Sequence, residues 1–338
     1  MNKTLRIGLV GAGFVSQHHL NGWQRETERG RAQVVAIADP SEPAARTRAS
    51  AYGITAVYAD AAAMFDQERL DAVDIAAPRE FHAELVRLAA ERGIPAICQK
   101  PLAPTYAEAQ RLADDMAAVP GMRLMVHENW RFRPYYRQAA AWLREGRIGR
   151  VVQAQMTLLS SGLLPDAEGK LPALQRQPFI ATLGRALVME VLIHHIDTLR
   201  CLLGEMRVVH ARTGRSSPAM NGEDHATVAF ETDAGTSVLL LANLTVRGEP
   251  AALVDRLHLV GERGSIRLQG DTLSCEGDVP ASLRYDMPQC YAESYAATLS
   301  HFIDALSAGT PFETSPEDNL RTLRLVEDIY TAGPGGQR

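Results

Sequence analysis

"LRIGLVGAGFVS", residues 5–16, decides how the rest of the chain is read. An apolar run over 5–11 leads straight into Gly11, Gly13 and Ser16, the spacing G-x-G-x-x-G/A with serine at the third place. The first glycine permits a tight turn, and the second lets a ligand approach the backbone. The third place needs a small residue so that the next helix can pack on the strand, and Ser16 nearly fits. A glycine-rich match alone is weak. Here a strand pattern precedes it and a helix pattern beginning near Phe14 follows. That helix would turn its first amides, around Phe14 and Val15, toward an anion. The stretch predicts a pyrophosphate held by Gly11, Gly13, Phe14 and Val15.

The neighbouring sequence agrees. "AQVVAIAD" (32–39), "AVDIAAP" (72–78), "PAICQK" (95–100) and "RLMVHEN" (123–129) are short apolar runs, as strands buried on both faces should be. Helical patterns lie between them, at 41–52, 79–92 and 105–118; the second opens after Pro78 and closes on Gly93. Strand and helix in alternation predict βαβ units and a parallel sheet. After a helix at 134–146 the pattern changes. "VVQAQMTLLS" (151–160), "HATVAFET" (225–232), "TSVLLLANLTV" (236–246) and "DRLHLVGERGSIRLQG" (255–270) suit an antiparallel sheet, with "GERG" as a hairpin turn. Two helices, near 291–308 and 316–332, close the chain. The expected fold is α/β: a doubly wound Rossmann-type domain over 1–130, then an α+β domain over 131–338 with a large, open, mostly antiparallel sheet.

Length and composition bound the alternatives. A chain of 338 residues is long for one core, and 46% apolar with 22% charged residues is ordinary for a globular protein. The net charge of −5 leaves no electrostatic footprint for nucleic acid. No apolar run approaches the roughly eighteen residues of a membrane span. The start has a basic tip and an apolar stretch, but glycines interrupt it and no small-residue cleavage pattern follows, so a cytoplasmic protein is expected. Cys98, Cys201, Cys275 and Cys290 are scattered, which speaks against a disulfide framework or a thiolate metal site.

Asp39 ends the second apolar run, at the distance expected of an acid that holds a ribose 2′-hydroxyl. The plainer alternative is a cap for the helix that follows. An aspartate there repels a 2′-phosphate, and Pro40 follows it, so NAD is favoured over NADP. Arg46 and Arg48 are the residues that would reach a 2′-phosphate.

A second stretch, "LVMEVLIHHIDTLRCLLG" (187–204), reads as a buried helix carrying Glu190, His194, His195 and Asp197. On an α-helix Glu190, His194, Asp197 and Cys201 fall within an arc of about 60°, with His195 about 100° away from His194. A metal site would need further ligands of suitable type, and no second His/Cys cluster supplies them, so no metal is expected. For His195, a satisfied core histidine and a ribose contact are both open. Asp197 either orients His194 or caps backbone.

"APREFH" (77–82), "ICQKPLAP" (97–104), "NWRFRP" (129–134) and the helix at 187–204, in this order after the glycine loop, resemble the Gfo/Idh/MocA oxidoreductases. The likeness runs over almost the whole chain, including "GTPFETSPEDNLRTLRLVEDIY". Those proteins typically carry E-K-P, N-x-R-F-x-P and D-x-G-x-H-x-x-D at the last three places. Here Gln99 stands for the glutamate, Glu190 for the aspartate and Leu192 for the glycine.

The resemblance implies oxidation of a sugar or polyol hydroxyl by NAD, with Lys100 and His194 handling the proton. Removing an alcohol proton needs a base that works near neutral pH, and histidine is the natural one. A nearby ammonium favours the developing alkoxide and keeps such a histidine neutral. Without the resemblance Lys100 would read as a solvated strand-end lysine. Pro78, His82, Gln99 and Asn129 are expected near the cofactor, and Glu190 at the substrate. Arg131 is open between structural pairing and a substrate hydroxyl. Trp130 and Phe132 read as packing, His18 and His19 as packing or surface. The leading expectation is an aldose dehydrogenase forming a lactone. A polyol or inositol dehydrogenase, an NAD-recycling glycosidase and a nicotinamide-binding sensor are the alternatives. A homodimer or homotetramer through the second domain's sheet is expected, with no nucleic-acid or membrane partner.

Overall fold

The computed structural model describes residues 3–332. It forms two compact units. One comprises the chain up to Arg133 together with Tyr291–Arg321; the other comprises Pro134–Cys290 and the chain from Thr322 onward.

The first unit holds six parallel strands: β1 Leu5–Val10, β2 Ala32–Ala38, β3 Ala56–Tyr58, β4 Ala72–Ile75, β5 Ala96–Gln99 and β6 Leu124–His127. Their order across the sheet is 3-2-1-4-5-6. This is the doubly wound arrangement, in which ligands bind at the carboxyl ends of the strands where the order reverses, here between β1 and β4. Helices α1 Ser16–Glu28, α2 Glu42–Tyr52, α3 Ala61–Gln67, α4 His82–Ala90 and α5 Tyr106–Ala118 connect the strands. Local chemistry starts several of them. Asp60 and Thr105 cap α3 and α5 by accepting the amides of Ala63 and Glu108. β3, three half-buried residues, gave no periodic signal in the sequence.

The second unit begins with α6 Pro134–Arg144 and β7 Val151–Leu159, followed by α7 Pro172–Arg176, a π-helical turn at Leu187–Leu192 and α8 Ile193–Leu203. The remaining strands are β8 Met206–Gly214, β9 His225–Thr232, β10 Ser237–Asn243, β11 Asp255–Gly261, β12 Gly264–Gln269, β13 Thr272–Glu276 and β14 Ala281–Arg284. They form one eight-stranded sheet with β7 in the order 14-13-12-11-7-10-9-8, antiparallel except for the β7–β10 pair. "GERG" is the hairpin turn, with Gly261 opposite Gly264. One face is buried and the other open: Ala154, Met156 and Leu158 are covered, whereas Gln153 and Gln155 are exposed. β8 and β14 are edge strands. They bury few side chains, so their alternation in the sequence was weak.

Helices α9 Met287–Ala308 and α10 Pro316–Ala332 end the described chain. The expected division at 130/131 places all of this segment in the second domain, and the structure corrects that. Leu299, Phe302, Ile303 and Phe312 belong to the same core cluster as Ile7, Leu20, Trp23 and Ile97. Arg31 reinforces the attachment, donating to buried Glu26 at 2.6 Å and to Asp304 at 2.6 Å. An amphipathic helix carries no mark of which core it covers, so the return of the chain was not visible locally. No helix among the described residues is long and apolar enough to cross a membrane.

Candidate active site

β1 delivers the chain to Gly11, whose amide donates to Ala38 O at 2.8 Å. Its φ of +103° is a region that favours glycine, and a Cβ there would lie 2.6 Å from Ala76 O. Gly13 differs: a Cβ built on it meets nothing within 4 Å, so its backbone faces open space. Buried Ser16 donates its hydroxyl to Gly13 O at 2.7 Å and opens α1. The two residues before the helix are the half-exposed Phe14 and Val15, which caps it. Helix α1 therefore starts two residues later than the sequence suggested. A helix N-terminus behind an open glycine backbone is what a pyrophosphate requires.

Asp39 follows β2. Its Oδ2 accepts the Ala12 amide at 2.7 Å and its Oδ1 the Ser41 amide at 2.8 Å. The carboxylate thus both tethers the glycine loop and turns the chain into α2. Each oxygen keeps a second lone pair for a ribose hydroxyl. Arg46 is engaged with Glu42, and Arg48 leans on Gly13 O at 3.2 Å and Gln17 Oε1 at 3.3 Å.

The ends of β4 and β5 are held together by His82. Pro78 is extended and exposed and leads through a short 3-10 turn into this residue. His82 is buried, with Nδ1 2.9 Å from Pro101 O and Nε2 2.9 Å from Ala77 O. Burial holds its imidazole below the usual histidine range, outweighing the two carbonyls, which act the other way. Lys100 is half-buried and directly precedes that proline. Its amide donates to Gln99 Oε1 at 2.7 Å.

After β6, Asn129 donates to Ser294 Oγ at 2.7 Å. Arg131 donates to Asp318 Oδ2 at 2.7 Å and to Glu313 O at 3.2 Å. Of the two readings open for Arg131, structural pairing is the one the structure displays. Trp130 packs under Arg133, whose guanidinium lies 3.5 Å from the ring centre.

In the second unit, Glu190 and His194 lie on a segment that is not a plain α-helix. The Ile193 amide reaches back to Val188 O, a π-type bond. A π turn takes an extra residue, so the plain 100° step does not hold across 187–192. His194, Asp197 and Cys201 all lie on α8 and keep their common side. Single π turns inside helices recur at functional sites. Glu223 anchors this one: its Oε1 accepts the amides of Ala186 at 3.2 Å and Val188 at 3.0 Å and the Tyr330 hydroxyl at 2.6 Å. Half-buried Glu190 and mostly buried His194 follow.

His195 is a core histidine. It is fully buried, with Nε2 2.9 Å from Asp255 Oδ1 and Nδ1 3.1 Å from Val191 O. Asp197 does something the sequence did not suggest: it accepts the Thr322 hydroxyl at 3.2 Å. Among the described residues no cluster of three or more His, Cys, Asp or Glu is arranged to hold a metal.

The family described as "Oxidoreductase family, NAD-binding Rossmann fold" matches residues 5–128, and its "GFO/IDH/MocA C-terminal domain" matches 136–267. The D-apiose dehydrogenase of Paraburkholderia graminis is 33% identical over 99% of this chain and 89% of its own. This chain belongs to the Gfo/Idh/MocA oxidoreductase family. A D-apiose dehydrogenase of Rhizobium rhizogenes is 32% identical over 100% of this chain and 98% of its own. Among solved structures, an oxidoreductase from Agrobacterium radiobacter in complex with NAD+, L-tartaric acid and magnesium is 29% identical. It superposes with a TM-score of 0.87 over 97% of this chain and 96% of its own. The Gfo/Idh/MocA member described here is thus an NAD-binding oxidoreductase, and its glycine loop, helix α1 and Asp39 fit that cofactor.

What sequence reasoning missed is the buried polar support behind these residues: Asp74, His19, Trp23 and Glu223. Asp74 was visible as one charge inside the apolar run "AVDIAAP", an expensive placement that signals partners. Glu223 had no such signal.

Proposed function

We propose that this enzyme oxidises the hydroxyl carbon of a sugar or polyol, with D-apiose the leading candidate and apionolactone the product. The observation that carries the reading is the similarity, 33% and 32% identical over nearly the whole chain, to two D-apiose dehydrogenases. "CQKP" and "MEVLIHHIDTLRCLLG" resemble the same branch.

Gly11, Gly13, the α1 amides near Phe14 and Val15, and Asp39 hold NAD, with Pro78, His82, Gln99 and Asn129 lining its nicotinamide end. NAD, when bound, supplies the hydride acceptor. The chain's own residues handle the proton. His194 takes it from the substrate hydroxyl, and the Lys100 ammonium favours the alkoxide as it develops. Glu190 contacts a neighbouring hydroxyl and sets which sugar fits. The open face of the eight-stranded sheet pairs with a second copy, giving a homodimer or homotetramer. Four free cysteines suit a reducing compartment such as the cytoplasm.

The test is a panel of D-apiose, other pentoses, hexoses and inositols, with reduced nicotinamide as the readout. D-apiose is expected to give the highest kcat/KM. Failure of every sugar and polyol would overturn the reading in favour of a sensor or an NAD-recycling hydrolase.

A further inference from the structure

Lys100 leaves the sheet at the end of β5, and its amide is met by the side chain of the residue before it. That amide can only donate, so the atom 2.7 Å away must be the Gln99 oxygen. This fixes the orientation of the Gln99 amide. Its nitrogen then lies 2.9 Å from His19 Nε2 and donates to it. His19 Nε2 is therefore an acceptor, and the ring proton sits on Nδ1. Nδ1 faces both Asp74 oxygens, at 2.8 and 3.0 Å. Asp74 Oδ2 also accepts the indole N–H of Trp23 at 2.7 Å.

Asp74, His19 and Gln99 are all buried, the first two completely. They come from β4, α1 and β5, three elements of one unit. A carboxylate in the middle of an apolar strand is costly unless its bonds are made. Here two N–H groups meet it. The His19 ring is also fixed by packing, 4.2 Å from the His127 ring and 5.5 Å from that of Tyr295. Each link joins a donor on one residue to an acceptor on the next, so the chain of bonds runs in a single direction from Lys100 to Asp74.

We propose that Asp74, His19 and Gln99 are positioning residues for Lys100: a buried relay that fixes the peptide from which the lysine side chain departs. The catalytic consequence rests on the role given to Lys100 above; the geometric one does not. The relay selects an amide at position 99 for a stated reason. A glutamate there would face His19 Nε2 with a second acceptor, and the ring would bond to both neighbours only as imidazolium. Further along the chain His82 reaches the carbonyl of Pro101, the residue after Lys100.

The chain has three lysines, Lys3, Lys100 and Lys170, so 15N-lysine labelling isolates the Lys100 amide in the full-length protein. Its hydrogen exchange, read with no sugar present, reports the relay directly. Gln99→Leu is expected to speed that exchange about tenfold or more, the scale of one lost hydrogen bond. It should also lower kcat, measured at saturating NAD, by a similar factor. Gln99→Glu should restore protection relative to Gln99→Leu, with His19 appearing as imidazolium in a 15N-histidine spectrum. His19→Phe should speed exchange as well, and the double variant should be no faster than Gln99→Leu alone, because both cuts fall in one path. His19→Leu serves the same comparison if the phenylalanine does not fit. Unchanged Lys100 exchange in folded Gln99→Leu, or additive effects in the double variant, would overturn the relay. Exchange that responds as expected while Lys100→Met keeps full turnover would leave the relay standing and remove the role of Lys100.

Discussion

His195 Nε2 lies 2.9 Å from Asp255 Oδ1, and neither side chain is exposed to solvent. Asp255 Oδ2 accepts the Tyr136 hydroxyl at 2.9 Å, so one carboxylate joins α8, α6 and β11. Of two adjacent histidines, one is thus committed to the core of its unit. His195→Ala takes one hydrogen-bond partner from the buried Asp255 carboxylate, at a cost of about 3 kcal/mol. A guanidinium midpoint shifted down with NAD Kd unchanged is the expected result. A weakened NAD affinity at unaltered stability would instead favour the ribose contact.

Asp39 accepts two backbone amides and stands where a ribose hydroxyl is read. Asp39→Ala removes the charge that repels a 2′-phosphate. The ratio of kcat/KM with NAD to that with NADP should fall by about tenfold or more, as for a lost charge-assisted hydrogen bond. An unchanged ratio would reduce Asp39 to its part in turning the chain into α2.

The glycine loop and both sheets were legible because each rests on a local rule: a turn that needs glycine, a continuous apolar run for a strand buried on both faces, or an alternation of period two. Three features were not. The π turn at 187–192 depends on Glu223, distant in sequence, which accepts two amides at its start. Arg131 stands in a motif that resembles a substrate contact, yet its guanidinium meets Asp318 and a carbonyl from beyond residue 310. His19, read from the sequence as packing or surface, is a link in a buried hydrogen-bond path. In each case the deciding partner lies tens to hundreds of residues away, and no periodicity encodes it.

Lys100→Met and His194→Ala separate chemistry from cofactor binding. Each should leave NAD binding largely intact and lower turnover by at least about a hundredfold, the usual scale for a lost proton-transfer group. Titration of NAD by fluorescence alongside steady-state rates checks both halves. Near-normal kcat in either variant removes the role given to that residue.

His82 gives the fold a pH dependence of known sign. Burial depresses its folded pKa, so at high pH both folded and unfolded forms are neutral. As pH falls below the unfolded value near 6.5, the unfolded chain takes up a proton that folded His82 resists, and stability drops from there toward the folded pKa. His18 and His258 are shifted the same way by burial, so the comparison must be made between variants. The fall in Tm between neutral and mildly acid pH should be shallower in His82→Leu than in the wild type, from a lower starting Tm. Parallel curves would show that His82 is protonated as readily in the folded protein as in the unfolded chain.

Tyr330 sits behind the segment that carries Glu190 and His194. Its hydroxyl donates to Glu223 at 2.6 Å, and burial together with that carboxylate pushes its phenol well above the usual range, so it stays a donor at any working pH. The Arg185 guanidinium covers the Tyr330 ring at 4.4 Å and pairs with Glu327. Tyr330→Phe keeps the ring and removes one bond to a buried charge, which should cost about 2 kcal/mol of stability. Glu223 keeps its bonds to Ala186 and Val188 but loses the group that restrains its Oε1. The π turn should therefore loosen, raising the sugar KM several-fold while NAD Kd holds. Equal changes in both constants, or neither, would separate the Glu223 anchor from the substrate site.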